Sequence, residues 1–348
     1  MKAAALLLAG SMALAACASD EDSGGGSAGS GDSSAAGGDL QIGLAYDTGG
    51  RGDKSFNDSA YAGVEAAIED LGGEVTELSP NADGSNRVDL LTQLADDGNN
   101  PVIAVGFAFG DALAEVAPQY PDTQFAIVDS SVADAGLDNA TGLLFAANEG
   151  SFLGGVAAAL KSETGHVGFV GGVESPLIQA FQAGYVAGAQ AAKPGITVDV
   201  QYISPAGDFS GFSDPARGKI LAQGMFQSGA DIVYHAAGGS GQGVFEAASE
   251  AGARAIGVDS DQYETVGDPA LQSVIMTSVL KRVDNAIQTY INDFSEGSVE
   301  GGSDVVNDLA SGGVGLATSG GQIDDIQSQL DDFQQQITDG GIEVPSTP

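Results

Sequence analysis

The sequence predicts an α/β protein with two doubly wound parallel-sheet lobes. Short apolar runs alternate with longer stretches of helical period, the signature of strands joined by crossover helices. The strand series restarts after about Phe145, where Asn148-Glu149-Gly150 leads into a fresh helix, and 348 residues suffice for about two domains.

In the first lobe, strands are expected at 40–46, 102–106 and 124–128, each a short apolar run. Helices fall at 57–71, 88–96 and 111–120, where apolar residues recur every three or four positions. The second lobe repeats the scheme, with strands at 167–171, 197–203, 232–236 and 255–258 and helices at 152–161, 177–192, 216–228 and 244–250. After a strand at 274–277, a long helix is expected from Ser278 to about Ser295, then a Gly-rich link over 297–315 and a last helix at 323–337. This tail holds too little strand for a third domain, so it reads as chain that crosses back to finish both lobes. Residues 40–147 with about 277–312 then form the first lobe, and 148–276 with about 313–348 the second. No fixed-period repeat is visible, which excludes solenoids and propellers.

A chain 43% hydrophobic and 17% charged is globular rather than disordered. With 11 basic against 48 acidic residues the net charge is −37, so the surface repels phosphate backbones and nucleic acid is excluded as a partner. The acids are spread along the whole chain and read as a solvated surface. A single cysteine forms no internal disulfide, and no Cys/His pair has zinc spacing; neither metal nor cofactor is expected.

Lys2 precedes an apolar run over 3–16 that is too short to span a membrane and ends in small residues, as a secretory signal does. Leu14-Ala15-Ala16-Cys17 resembles the lipobox of bacterial lipoproteins. That resemblance implies that residues 1–17 are a lipoprotein signal peptide and that Cys17 is lipidated. The mature protein is then held on the extracytoplasmic face of the cell membrane by its lipid anchor. The alternative, a plain signal with an incidental cysteine, is disfavoured because the only cysteine stands at this one position. Residues 18–39, built of Gly, Ser, Ala and Asp with a single Glu, read as a flexible tether with a span of roughly 25 Å.

Several motifs fail on spacing. Gly238-Gly239-Ser240-Gly241-Gln242-Gly243 has no register that fits a dinucleotide fingerprint, so its glycines are assigned to close backbone approach to a small ligand. Gly211 and Gly218-Lys219 are too far apart for a phosphate loop, and Ile220 stands where Ser or Thr is needed. The stretch from Asp47 to Asp53 has too few carboxylates for a calcium loop, and Arg51-Gly52-Asp53 reads as a chance adhesion tripeptide. His166 and His235, the only histidines, lack a nucleophile for a triad, and His235 reads as structural.

Ligands of open parallel sheets bind beyond the carboxyl ends of strands, and the residues there are Gly, Phe and carboxylates. Four motifs follow in order: Asp53-Lys54-Ser55-Phe56-Asn57, the stretch from Gly211-Phe212-Ser213 to Gly218-Lys219, Ile256-Gly257-Val258-Asp259-Ser260-Asp261-Gln262, and Thr277-Ser278-Val279-Leu280-Lys281-Arg282. Together, from Leu40 to about Ile342, they resemble the basic membrane protein family, the PnrA-like nucleoside-binding lipoproteins of ABC importers. The resemblance implies a type I periplasmic-binding-protein fold with a ligand cleft between two lobes. It also implies a non-catalytic receptor that delivers purine nucleosides to an ABC permease with a separate ATPase. By the same resemblance Phe56 and Phe212 sandwich the base, Asn57 contacts it, and Asp47 and Asp129 are further ligand-contacting acids. Gly238 or Gly239 makes a backbone contact, and Asp259 and Lys281 are the pair around the ribose. Stacking on rings and a diol held by one carboxylate fit these roles. The rivals are a receptor for a sugar or other small polar metabolite, a nucleoside hydrolase-like enzyme and a surface adhesin.

Overall fold

Each of the two lobes is built on a six-stranded sheet. The computed structural model describes residues 40–348; the expected signal segment 1–17, Cys17 and the tether 18–39 lie outside the described residues. The first lobe runs β1 (Gln41–Ala45), α1 (Phe56–Leu71), β2 (Glu74–Leu78), α2 (Arg87–Asp96), β3 (Val102–Ala104), α3 (Gly110–Val116), β4 (Phe125–Val128) and β5 (Ala140–Phe145). The chain passes at Ala146 into α4 (Ala147–Lys161), β6 (His166–Val173), α5 (Pro176–Ala192), β7 (Thr197–Ser204), α6 (Pro215–Gln227), β8 (Ile232–Ala236) and α7 (Gly241–Ala251). It continues through β9 (Arg254–Asp259), α8 (Gln262–Thr265), α9 (Pro269–Gln272) and β10 (Ile275–Lys281). It returns through Arg282 to α10 (Val283–Ser295) and β11 (Ser303–Asn307), then crosses again to β12 (Val314–Leu316) and α11 (Gln327–Thr338).

The strand orders are β2-β1-β3-β4-β5-β11 and β7-β6-β8-β9-β10-β12, the same winding in both lobes. Every pair in the first sheet is parallel. In the second only β12, antiparallel to β10, departs from this. The two-residue period of a strand splits each core in two. Ile42, Leu44 and Ile103 point to the face covered by α1 and α10, while Ala45, Val102 and Ala104 point to the face covered by α2 and α3. In the second lobe Phe169 and Tyr234 pack under α4 and α5, and Val170 and Val233 under α6 and α7.

Two expectations are corrected. The helix expected from Ser278 starts at Val283, because residues through Lys281 continue β10, paired with β9 on one side and β12 on the other. Thr277, Ser278 and Val279 are buried inside the sheet, and that burial outweighs the helical period. The chain therefore leaves the second lobe at Arg282 rather than near 277, so 277–281 belong to the second sheet. The strands β2, β5, β11 and β12 were absent from the expected series. β2 is a half-exposed edge strand, β11 lies inside the stretch expected as a Gly-rich link, and β12 begins at its end.

Candidate functional site

The carboxyl ends of the two sheets converge on one interlobe cavity, the usual place for a small-molecule site in such sheets. Asp47 follows β1, Phe107 follows β3 and Asp129 follows β4; from the other lobe, Gly238 follows β8, Asp259 ends β9 and Lys281 ends β10. Phe56 and Asn57, at the start of α1, and Phe212, before α6, complete the set expected from sequence. Gly239 is the exception and does not line the cavity. A Cβ there would lie 3.6 Å from that of Asp53, so this glycine sits against the other lobe instead. Of the two glycines left open by the sequence, Gly238 lines the cavity, and its φ of +52° suits a residue without a side chain.

Phe56 and Phe212 reach the cavity from opposite lobes. Phe212 lies so close over Gly172 of β6 that a Cβ there would come within 2.5 Å of the ring, so the glycine sets the ring's position. The Lys281 Nζ lies 4.3 Å from the centre of Phe56, giving that ring a cation at one face.

The acids are held by specific donors. Asp129 accepts from the Lys281 ammonium across the cleft, with both side chains only 3% exposed. Lys281, expected beside Asp259, is thus bonded directly to Asp129. Asp259 accepts instead from the Ser55 hydroxyl of the first lobe at 2.5 Å. Asp129 and Asp259 both have left-handed backbone, at φ 66° and 62°, which aims each carboxylate off its strand end. The Asp129 Oδ1 is buried without a hydrogen-bond partner.

Asp47 Oδ1 accepts from the Thr48 N–H at 2.7 Å and lies 3.6 Å from Arg87 Nη2. Asn57 is largely committed: its Oδ1 accepts from the Asp47 N–H at 2.9 Å, and its Nδ2 donates to Asp53 at 3.1 Å. Burial pushes the Asp47 carboxyl up to about 6, against the pull of the Thr48 N–H and Arg87. Asp259 is pushed up to about 6 in the same way, opposed by Lys281 and Ser55. Burial also raises Asp129, with Lys281 drawing it back.

The lobes touch beyond the cavity as well. Lys54 donates to the Val266 carbonyl at 2.7 Å, while its own carbonyl accepts from Gln262 Nε2 at 3.0 Å. Ser260 Oγ donates to the Ser55 carbonyl at 3.1 Å. The arrangement is therefore closed, with water largely excluded from the acids.

The discounted motifs have structural employment. Asp53 accepts from the N–H groups of Ser55, Asn57 and Asp58 and so caps α1, while Arg51 stacks on Tyr61 at 3.4 Å. The Arg51-Gly52-Asp53 tripeptide is thus tied down at both ends. His235 is fully buried against Phe245, and burial lowers it to about 4. Among the described residues no group of three or more His, Cys, Asp or Glu side chains is placed to hold a metal, and no helix is long and apolar enough to cross a membrane.

Sequence reasoning missed several cavity residues: Phe107, and Leu177, Ile178 and Phe181 from the first turns of α5. Phe107 directly follows the strand expected at 102–106, so its position was the signal. The α5 residues carried none, since their spacing is that of any helix packing on a core.

The model of a protein family described as "ABC transporter substrate-binding protein PnrA-like" (Bmp) matches residues 41–348. The chain is 34% identical over 332 residues to a CD4+ T-cell-stimulating antigen of Listeria monocytogenes, covering 89% of each chain. It is 34% identical over 325 residues to an ABC transporter nucleoside-binding protein, BmpA, of Lactococcus lactis, covering 88% of this chain and 90% of that one. Among solved structures, a solute-binding protein of an ABC transporter system from Aeropyrum pernix superposes with a TM-score of 0.76 at 29% identity, over 88% of this chain and 93% of that one.

Proposed function

The chain belongs to the Bmp family of PnrA-like ABC transporter substrate-binding proteins, and from that premise we propose that it is a lipid-anchored receptor for purine nucleosides. As a substrate-binding protein it delivers its ligand unchanged and is not an enzyme. The observation that carries the ligand assignment is the pairing of two phenylalanines from opposite lobes with buried acids at the strand ends. A flat base enters between Phe56 and Phe212, where stacking is worth about 1–3 kcal/mol. The ribose hydroxyls donate to Asp259 and to the unpartnered Oδ1 of Asp129, with Lys281 balancing their charge. Asp47 and Asn57 meet the base edge, and the Gly238 backbone closes the second-lobe side. Four carboxylates face two cations, Lys281 and Arg87, so a phosphate on the ligand is repelled. The nucleoside-binding relative supports the same class. Cys17 carries the anchor, and a permease with a separate ATPase takes the cargo.

A thermal-shift screen of the full chain tests this. At a hundred times its dissociation constant a ligand stabilises by about 2.7 kcal/mol, which raises the midpoint by several degrees. Inosine, guanosine or adenosine should do so, and ribose, free base and nucleotide should not. A sugar that shifts the midpoint while every nucleoside fails overturns the cargo.

A further inference from the structure

Arg87 opens α2 and is 8% exposed. Its Nη2 donates to Thr48 Oγ1 at 3.2 Å and lies 3.6 Å from Asp47, its Nη1 donates to the Gly84 carbonyl at 3.3 Å, and its Nε is buried without an acceptor. Two rings lie over the guanidinium: Phe109 of its own lobe at 5.5 Å and Phe209 of the other lobe at 4.9 Å. Phe209 also meets Phe107, a cavity residue, with ring centres 5.7 Å apart. Phe209 and Phe212 share one helical turn, capped by the Asp208 side chain. That single turn presents one ring to the cavity and another to Arg87.

We propose that Arg87 is a positioning residue that couples lobe closure to ligand contact, by holding Asp47 in place while stacking on Phe209 of the opposite lobe. The claim rests on Asp47 being a ligand contact, as set out above. When the lobes separate, Phe209 leaves with its lobe and the guanidinium is hydrated. When they close, the ring covers the cation and strengthens its attraction to Asp47 by excluding water. A contact made only in the closed form, without touching ligand, slows ligand release.

The sequence offers a clean test, because its one cysteine is Cys17. In the full chain with Cys17→Ser, spin labels on cysteines replacing the exposed Leu71 and Ile220 report the distance between lobes. Binding and release of inosine are measured on the same background. Arg87→Met and Phe209→Ala should each weaken binding about tenfold, through faster dissociation, and the double variant should be little worse than either alone. Arg87→Lys should recover part of the loss. Phe209 is half-exposed, so its variant keeps the fold intact even if Arg87→Met does not. Losses that multiply in the double variant, or that fall on association alone, overturn the proposal. If no nucleoside binds the unaltered chain, the cargo reading fails, and the ligand-free distances decide about Arg87. A short-distance population that both variants reduce supports the coupling; one that is unchanged or absent overturns it.

Discussion

The two lobes present the same corner to the cleft and settle it differently. β4 runs into Val128-Asp129-Ser130 and β9 into Val258-Asp259-Ser260; both strands hold the fourth place in their sheets, counted from β2 and β7, and both aspartates are left-handed. Each carboxylate is answered from the opposite lobe, Asp129 by the charged Lys281 and Asp259 by the neutral Ser55. A repeated fold thus yields two equivalent acids, and the difference between their partners gives them unequal weight. Closure brings each acid its partner, so the same contacts that hold the lobes together also prepare the site.

The comparison is broken most severely at Lys281. Removing one member of a buried ion pair costs about 3–5 kcal/mol, so Lys281→Met should weaken inosine binding at least on the order of a hundredfold by calorimetry. The ligand-free melting midpoint should fall as well, because Asp129 is then left buried without its cation. Phe212→Ala removes one stacking face and should cost about 2 kcal/mol, roughly thirtyfold in affinity, with equal losses for adenosine, guanosine and inosine. Ser55→Ala takes only a hydroxyl from Asp259, worth about 1.5 kcal/mol or roughly tenfold. Equal effects at Lys281 and Ser55 would erase the asymmetry.

The smallest effect is on pH. Asp259 is raised to about 6 from its ordinary 3.8, so between those values the folded chain keeps a proton the unfolded chain has released. Its contribution to stability is full below about pH 4 and is lost as pH rises through 6. Melting curves should therefore show the unaltered ligand-free chain losing stability relative to Asp259→Asn across that window. With the ionised Asp259 as the proposed acceptor, nucleoside binding should strengthen by up to about tenfold from pH 5 to 7.

Much of this was legible in the sequence because the informative residues stand at strand ends. Asp47, Asp129, Gly238 and Asp259 each follow an apolar run short enough to be recognised as a strand, and the winding rule then places them together. Lys281 was identified through its motif while its own segment was misassigned to a helix, since Ser278 to Lys281 has no local feature that separates a buried strand from a helix start. Its bond to Asp129 was hidden for a further reason: 152 residues separate the two, and only the closure of two lobes brings them together. Arg87 was overlooked for the same cause, as its neighbours in sequence are an ordinary amphipathic helix. β2, β11 and β12 escaped because edge strands bury one side at most and so lose the apolar signature.

The most direct measurement is a crystal structure of the chain grown with inosine. The account predicts the purine between Phe56 and Phe212 and the ribose hydroxyls on Asp259 and Asp129, with Lys281 beside them. A nucleoside bound outside the interlobe cavity, or one inside it with its base away from both rings, would contradict it.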